Sequence, residues 1–306
     1  MSESEGGVSA ERFARLAEAP LTVVGAPAMS GARSFVTPVR DLFGHRELLG
    51  LLVRRDLKAK YKDSALGFLW SLARPLMQLA IYYIVLGQFL QAARGIPDFA
   101  IYIFTGLTIM GLFSETLVGA TGAVIANAAL VKKVYVPREL FPLASVGSAL
   151  FNFSIQLGIL VVATVVSGSF PWHAELLYAI PSVLIVLIYA LGFGLFLAAA
   201  NVYLRDVQYL VEVAMMVLFW ASPVVYSWQM VSERVTNSLV LELYTNNPLT
   251  LAVIGFQRAF WIESDSVAQP ADLLLRMTIA IGVGLVILIG SHRIFLRLQG
   301  DFAQEL

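Results

Sequence analysis

The chain contains 306 residues, of which 58% are hydrophobic and only 14% are charged. Soluble domains usually contain about 45 to 50% apolar and about 25% charged residues, so this composition excludes an ordinary soluble fold and predicts an integral membrane protein. The 21 basic and 21 acidic residues cancel, so no overall charge attracts nucleic acid. Because the sequence has no cysteine, disulfides, catalytic thiolates and cysteine-bound metals are excluded.

Six apolar segments are close to the length of about 20 helical residues that crosses the hydrocarbon core of a membrane. They cover approximately residues 75–93, 99–125, 140–168, 176–200, 207–227 and 273–289. The sequence therefore predicts an all-α integral membrane fold with six transmembrane helices.

Lysine and arginine are distributed unevenly around these segments. Seventeen lie before the first segment or in the loops on the same side, and only four lie on the other side. Because cytoplasmic loops retain positive charge, this pattern predicts an even number of spans, with both termini in the cytoplasm. The expected location is the cell inner (plasma) membrane.

The first part of the chain differs in composition from the rest. Residues 1–42 are rich in Ser, Gly, Ala and Glu, and we expect a mobile cytoplasmic tail there. The first 30 residues contain no apolar core adequate for a cleaved signal peptide. Residues 43–306 are expected to form one transmembrane domain.

An amphipathic segment over residues 43–63 precedes the first predicted span. On a helix, four of its basic residues fall within about 100° of arc: Arg54, Arg55, Lys58 and Lys62. We expect this helix to lie along the cytoplasmic surface of the membrane. Two interpretations of these basic residues stay open. They could anchor the helix to anionic lipid, or they could form a specific site for an anionic lipid head group.

The chain lacks the common sequence motifs of catalytic sites. The sequence contains no Gly-Lys dipeptide of a phosphate-binding loop, no Asp-x-Asp pair and no His-Glu-x-x-His motif. We therefore expect that the chain is not an enzyme and holds neither cofactor nor metal. Any work on a substrate would draw energy from a gradient or from another subunit.

Two carboxylates, Glu115 and Glu212, are predicted to lie at membrane depth, where ionisable groups are often functional. A proton-coupled secondary transporter using either residue is the alternative function. Asn152 and Gln156 share a helical face through their spacing of four residues, and hydrogen bonding between helices accounts for them.

Aromatic residues gather near the predicted outer side and in the long loop over residues 228–272. An interfacial aromatic belt explains most of them, although a minority could line a glycan path. The stretch 248–262 is apolar enough to form short helices that re-enter the membrane edge. Asn246, Asn247 and Pro248 are typical of a helix start.

The cytoplasmic segment NAALVKKVYVP, residues 127–137, predicts a short helix that ends before Pro137. Its two lysines on an apolar helix are compatible with a docking element for a partner and equally with a lysine-anchored turn.

Several motifs resemble the transmembrane subunits of ABC-2 type polysaccharide exporters, of the Wzm and TagG type, which include permeases for O-antigen, teichoic acid and capsule. They are KYKDSALGFLWSLARPL (60–76), LVKKVYVPRELFPL (130–143), YLRDVQYLV (203–211), ASPVVYS (221–227) and NNPLTLAVIGFQRAFW (246–261). The motifs extend from about residue 45 to the end of the chain. Within the family, the sequence is most similar to the permeases of lipid-linked galactan exporters.

The resemblance implies a type V exporter domain that forms a homodimer, with two Wzt-type cytoplasmic ATPase subunits binding ATP and Mg. It makes the short cytoplasmic helix a coupling helix, with Asn127, Leu130, Lys132, Lys133 and Tyr135 facing the ATPase. The amphipathic helix becomes an interface or gate helix. The first and fifth spans of opposite protomers would flank the path.

The resemblance further implies short external gate helices over residues 232–264 and a substrate linked to polyprenyl diphosphate. The four basic residues of the amphipathic helix are the candidates for its diphosphate. Candidates for the glycan path or gate are Trp70, Tyr226, Trp228, Tyr244, Phe256 and Trp261. A third class of function, an integral-membrane glycosyl or phosphoglycosyl transferase, would require clustered loop carboxylates, which the sequence lacks.

Overall fold

The computed structural model describes residues 44–61, 69–89, 96–133, 136–261 and 267–306. The predicted tail over residues 1–42 lies outside these ranges, as do Lys62 and Tyr135; the side chain of Trp70 is also outside the description. The helices given below lie within one compact unit, His45–Leu306.

The described residues of this unit form twelve α-helices and no strands. In chain order they are α1 (Arg46–Tyr61), α2 (Leu69–Ile81), α3 (Phe99–Ala126), α4 (Ala128–Lys133), α5 (Leu140–Val166), α6 (Ala179–Tyr203), α7 (Val207–Trp220), α8 (Trp228–Arg234), α9 (Ser238–Thr245), α10 (Pro248–Phe260), α11 (Leu273–Leu298) and α12 (Phe302–Glu305). A π-helical segment, Tyr82–Phe89, continues α2, and a 3₁₀ helix, Ala174–Tyr178, precedes α6.

Four helical segments are long and apolar enough to cross a membrane. They are Phe99–Ala126, Leu140–Val166, Ala174–Tyr203 and Leu273–Glu305. These segments confirm the second, third, fourth and sixth predicted spans as membrane-length helices. The first and fifth predicted spans coincide with shorter apolar helices, Pro75–Phe89 and Val207–Trp220.

The predicted fifth span extends to residue 227, whereas α7 ends at Trp220. Ala221 is the C-terminal cap of the helix, and Pro223 follows two residues later. Proline disfavours helical geometry in the residue before it, which accounts for the early end. Contacts with other helices also fix this turn, because the Pro223 carbonyl accepts hydrogen bonds from Tyr102 Oη (3.0 Å) and Gln257 Nε2 (2.9 Å).

Helix α3 lies at the centre of the bundle, packed against α5, α6 and α10. Small residues allow close approach to α6, since a Cβ atom on Gly194 would lie 2.7 Å from Ala120 Cβ. The fully buried Asn201 donates from Nδ2 to the Thr121 carbonyl oxygen at 3.2 Å. Within the apolar bundle, such bonds keep polar groups paired.

Helix α10 follows the start signal expected from the sequence. Asn247 Oδ1 accepts a hydrogen bond from the Leu249 amide at 3.0 Å, and Pro248 occupies the first turn, where its missing N–H costs nothing. Almost every residue of α10 is buried, and the helix packs against α6, α3 and α11. The predicted helix start is therefore confirmed, and the helix belongs to the core of the bundle.

Helix α1 packs along α5. Leu52 is buried, and Val53 lies directly over Gly147, where a Cβ atom would be 2.6 Å from Val53 Cγ2. The contact presents the basic side of α1 to solvent, with Arg54, Arg55 and Lys58 all exposed.

Candidate functional site

Helix α4 forms a short connection between α3 and α5. Val131 is buried against the bundle, whereas Leu130, Lys132 and Lys133 are exposed. Asn127 caps the preceding helix and donates from Nδ2 to the Ala123 carbonyl at 2.8 Å. The structure thus confirms the predicted short helix, which Val131 and Asn127 hold in place while Leu130, Lys132 and Lys133 are exposed.

Arg55 links α1 to the start of α4. Its Nη2 lies 2.7 Å from Asn127 Oδ1 and 2.7 Å from Asp56 Oδ1. Arg54 and Lys58 are exposed and have no partner among the described residues. The sequence grouped Arg54, Arg55, Lys58 and Lys62 on one face, as lipid anchors or as a head-group site, and that role stays a prediction. The structure adds that Arg55 also connects two helices. No sequence signal identifies that connection, since its ends are 72 residues apart.

The last helix, α12, contacts α4 at the same end of the bundle. Phe302 is fully buried, and its ring packs edge-on against Phe295 (5.4 Å between centroids) and Tyr203 (6.2 Å). The Arg138 guanidinium carbon lies 5.7 Å from the centre of the Phe302 ring. These contacts anchor α12 beneath the α4 segment, a role that sequence analysis did not predict for Phe302.

The opposite end of the bundle, which carries α8 and α9, contains most of the aromatic candidates. Tyr226 Oη donates to the Trp220 carbonyl at 2.7 Å, and Tyr244 Oη donates to Tyr226 Oη at 3.4 Å. Trp228 Nε1 donates to Thr245 Oγ1 at 2.9 Å. Burial raises the pKa of the Tyr244 hydroxyl, which therefore stays protonated and able to donate.

Two of the other aromatic candidates are buried. Phe256 packs against Phe153 (5.9 Å) and Phe260 (4.9 Å). Trp261 donates from Nε1 to the Pro97 carbonyl at 2.9 Å, and its ring packs edge-on against Tyr102. In this conformation both residues join helices of the core, and a role in the glycan path stays a prediction.

Ion pairs hold the segments of this end together. Arg276 Nη1 lies 2.6 Å from Glu242 Oε2 and 2.9 Å from Asn246 Oδ1. The Arg276 guanidinium, together with the Asn246 amide, lowers the pKa of the Glu242 carboxyl, so the pair persists at neutral pH and is lost only in acid. Arg258 pairs with Glu175, which joins α10 to the 3₁₀ helix before α6.

Glu115, Asn152 and Gln156 line the contact between α3 and α5 at membrane depth, and we call this group the polar seam. Asn152 is buried and donates from Nδ2 to Glu115 Oε2, whereas Glu115 itself is exposed on the surface of the protomer. Gln156 lies beside Gly111, where a Cβ atom would be 3.5 Å from Gln156 Oε1. Sequence analysis grouped Asn152 with Gln156, but it could not predict that Asn152 pairs with Glu115.

The second membrane carboxylate, Glu212, is exposed near the start of α7. It has no hydrogen-bond partner in the part of the chain that the structure describes. Among the same residues, no group of three His, Asp or Glu side chains is arranged to bind a metal ion.

Comparison with known proteins identifies relatives of this chain. A family model described as "ABC-2 type transporter" matches residues 47–261. The O-antigen export system permease protein RfbA of Myxococcus xanthus is 32% identical over 269 residues, which cover 88% of this chain and 98% of that protein. The protein of the same name from Klebsiella pneumoniae is 29% identical over 215 residues, covering 70% of this chain and 80% of that protein.

A weaker match is the capsule polysaccharide export inner-membrane protein CtrC of Neisseria meningitidis serogroup B. It is 22% identical over 151 residues, which cover 49% of this chain and 57% of that protein.

Proposed function

Because the chain belongs to the ABC-2 type transporter family, we propose that it is the membrane permease subunit of an ATP-driven polysaccharide exporter. The names of its relatives, which describe permeases for O-antigen and a capsule polysaccharide export protein, support this class of substrate. In this proposal the chain supplies the membrane path, and a separate cytoplasmic subunit binds ATP and Mg and hydrolyses the nucleotide.

The proposal depends mainly on one observation, which is that α4 is attached to the bundle on one side and exposed on the other. The helix is held by Val131 and Asn127, yet it presents Leu130 and two lysines to the outside. A short helix of this kind can transmit movement, because it is attached to the bundle and its outer face is accessible. Docking of the ATPase against α4 would therefore move α3, from which only Asn127 separates it, and α5, the next helix along the chain.

Orientation and assembly follow from the same proposal. The α4 end faces the cytoplasm, in agreement with the excess of Lys and Arg on that side, and α2 and α7 complete six spans. The chain acts in the inner membrane as a homodimer with two ATPase subunits. Helices α8 and α9 are then short outer gate helices near the predicted aromatic path.

A polyprenyl diphosphate-linked glycan, such as galactan, is the substrate that we propose. Its diphosphate requires a cationic site at the cytoplasmic surface, and Arg54 and Lys58 are exposed there on α1. Its long polar chain requires a hydrated path, for which Tyr226, Trp228 and Tyr244 are the nearest aromatic candidates.

Reconstitution of the permease with its ATPase tests this function. Vesicles containing both subunits should move a polyprenyl diphosphate-linked oligosaccharide only with ATP and Mg, and vanadate should stop the movement. Collapse of the proton gradient with an uncoupler should leave the rate unchanged. Transport by the permease alone, or transport that the uncoupler abolishes, would instead favour the proton-coupled alternative.

The docking role of α4 has a separate test. The double substitution Lys132→Glu and Lys133→Glu should reduce recovery of the ATPase with the permease by about tenfold, because it reverses two charges at the contact. Lys58→Glu with Lys60→Glu is the matched control, since it reverses two exposed lysines on α1. Equal recovery in both variants would show that α4 is not the docking site.

A further inference from the structure

The position of Glu115 suggests a role that its hydrogen bond to Asn152 does not explain. The residue lies 16 residues after the start of α3 and 11 before its end. At a rise of about 1.5 Å per residue, it is about 24 Å from one end of the helix and about 17 Å from the other. An exposed carboxylate at that depth would be strongly disfavoured against lipid.

The groups around Glu115 have unused hydrogen-bonding capacity. Asn152 occupies Glu115 Oε2, so Oε1 stays able to accept. The partly exposed Gln156 amide has no hydrogen-bond partner among the described residues. Ser148 Oγ, one turn from Asn152 on the other side, is buried and also lacks a partner within the described chain. Acceptors and donors therefore line one seam, with Glu115 and Gln156 accessible from outside the protomer.

We propose that Glu115, Asn152 and Gln156 form a binding site for the hydroxyl groups of an uncharged sugar inside the membrane path. Glu115 accepts a sugar hydroxyl, Gln156 accepts or donates another, and Asn152 is a positioning residue that holds the carboxylate. The inference rests on the proposed function and adds a substrate preference to it. A carboxylate repels other anionic groups, so this site disfavours glycans that carry phosphate or carboxylate groups.

Thiol labelling tests whether the seam faces water. Because the chain contains no cysteine, single substitutions can be labelled without altering other residues. In the permease–ATPase complex in vesicles, Gln156→Cys should react with a charged methanethiosulfonate at least about tenfold faster than the control, since the reactive thiolate forms in water. The control is Val286→Cys, at the middle of α11, where the side chain is 71% exposed among apolar residues.

Equal, slow reaction of Gln156→Cys and Val286→Cys would overturn the proposal, because the seam would then face lipid or the second protomer.

Substrate preference provides the second test. Two substrates with the same polyprenyl diphosphate are compared, a neutral galactose pentasaccharide and the same sugar carrying one phosphate. Wild-type complex should export the neutral substrate faster, and Glu115→Gln should reduce this preference about fivefold by removing the repulsion. The isosteric amide can still accept the hydrogen bond from Asn152, so the fold is preserved. Glu115→Ala should lower export of the neutral substrate about tenfold.

The outcomes separate the two proposals. If the wild-type complex exports neither sugar, the proposed function fails, and the inference fails with it. If the complex exports both sugars and Glu115→Gln leaves their ratio unchanged, the function stands and the sugar site is rejected.

Discussion

At the scale of single residues, the two neighbouring arginines of α1 have different surroundings. Arg54 is exposed without a partner in the described chain, whereas Arg55 bonds Asp56 and Asn127. The planar guanidinium can hold both oxygens at once, which a lysine could not reproduce. Arg55 is therefore expected to support the position of α4, and Arg54 is the better candidate for binding an anionic head group.

Separate substitutions should distinguish these roles. Arg55→Gln should lower the transport-coupled ATPase activity of the complex. The expected decrease is about two- to fivefold, as for loss of an exposed ionic contact. Asn127→Ala should have a similar effect, and the double variant should add little, because both substitutions remove one contact. Lys60→Gln is the control, because it removes an exposed charge of α1 that has no partner among the described residues, and coupling should stay normal. If the effects of Arg55→Gln and Asn127→Ala add in the double variant, the contact between these residues does not account for the loss of coupling.

At the scale of helices, close packing of α1 on α5 depends on one glycine. Gly147 leaves space for Val53, a branched side chain with few alternative rotamers, and the two helices meet at this point. A larger residue at position 147 must displace α1 and, through Arg55, disturb α4.

Gly147→Ala should destabilise the permease by about 1 to 3 kcal/mol, because the new methyl group would overlap Val53. Thermal unfolding of the purified permease in detergent measures the effect. Val53→Ala in the same chain should restore much of the loss by making room. Gly158→Ala is the matched control on α5, since a Cβ atom at that position would have no neighbouring atom within 4 Å. If both glycine variants unfold at the same temperature, the contact with Val53 does not limit stability.

At the scale of the whole molecule, several helices expose apolar side chains among the described residues, and two of these apolar faces differ in their charge. One lies on α11 and includes Leu275, Ile279, Val283 and Val286. The other lies on α7 and consists of Tyr209, Leu210, Val213, Met216, Val217 and Trp220, with Glu212 exposed on the same helix. Because a carboxylate is disfavoured against lipid, the α7 face is the better candidate for contact with a second protomer.

Cross-linking can test this assignment. Val213→Cys in the assembled complex should give covalent permease dimers with a short bifunctional maleimide, since the two copies of α7 would face each other. Val286→Cys should give few dimers, because its face of α11 would contact lipid. Dimers formed mainly by Val286→Cys would place the contact between protomers on α11 and would contradict this assignment.

The features that the sequence predicted correctly are those whose signals lie in neighbouring residues. The start of α10 was predictable because Asn247 and Pro248 act within one helical turn. Four membrane-length helices were predictable because apolar length is itself the requirement for spanning a membrane. The family resemblance, which rested on motifs along the chain, is confirmed by the match over residues 47–261.

The membrane class, the four long helices, the short α4 and the family could all be predicted from the sequence, because composition, length and local motifs do not depend on how the helices meet. The pairing of polar groups became known from the packed structure alone. The structure joins Arg55 to Asn127 and Asn152 to Glu115 while leaving Glu115 exposed. These pairings depend on the rotation and register of packed helices, which residues far apart in the chain specify together.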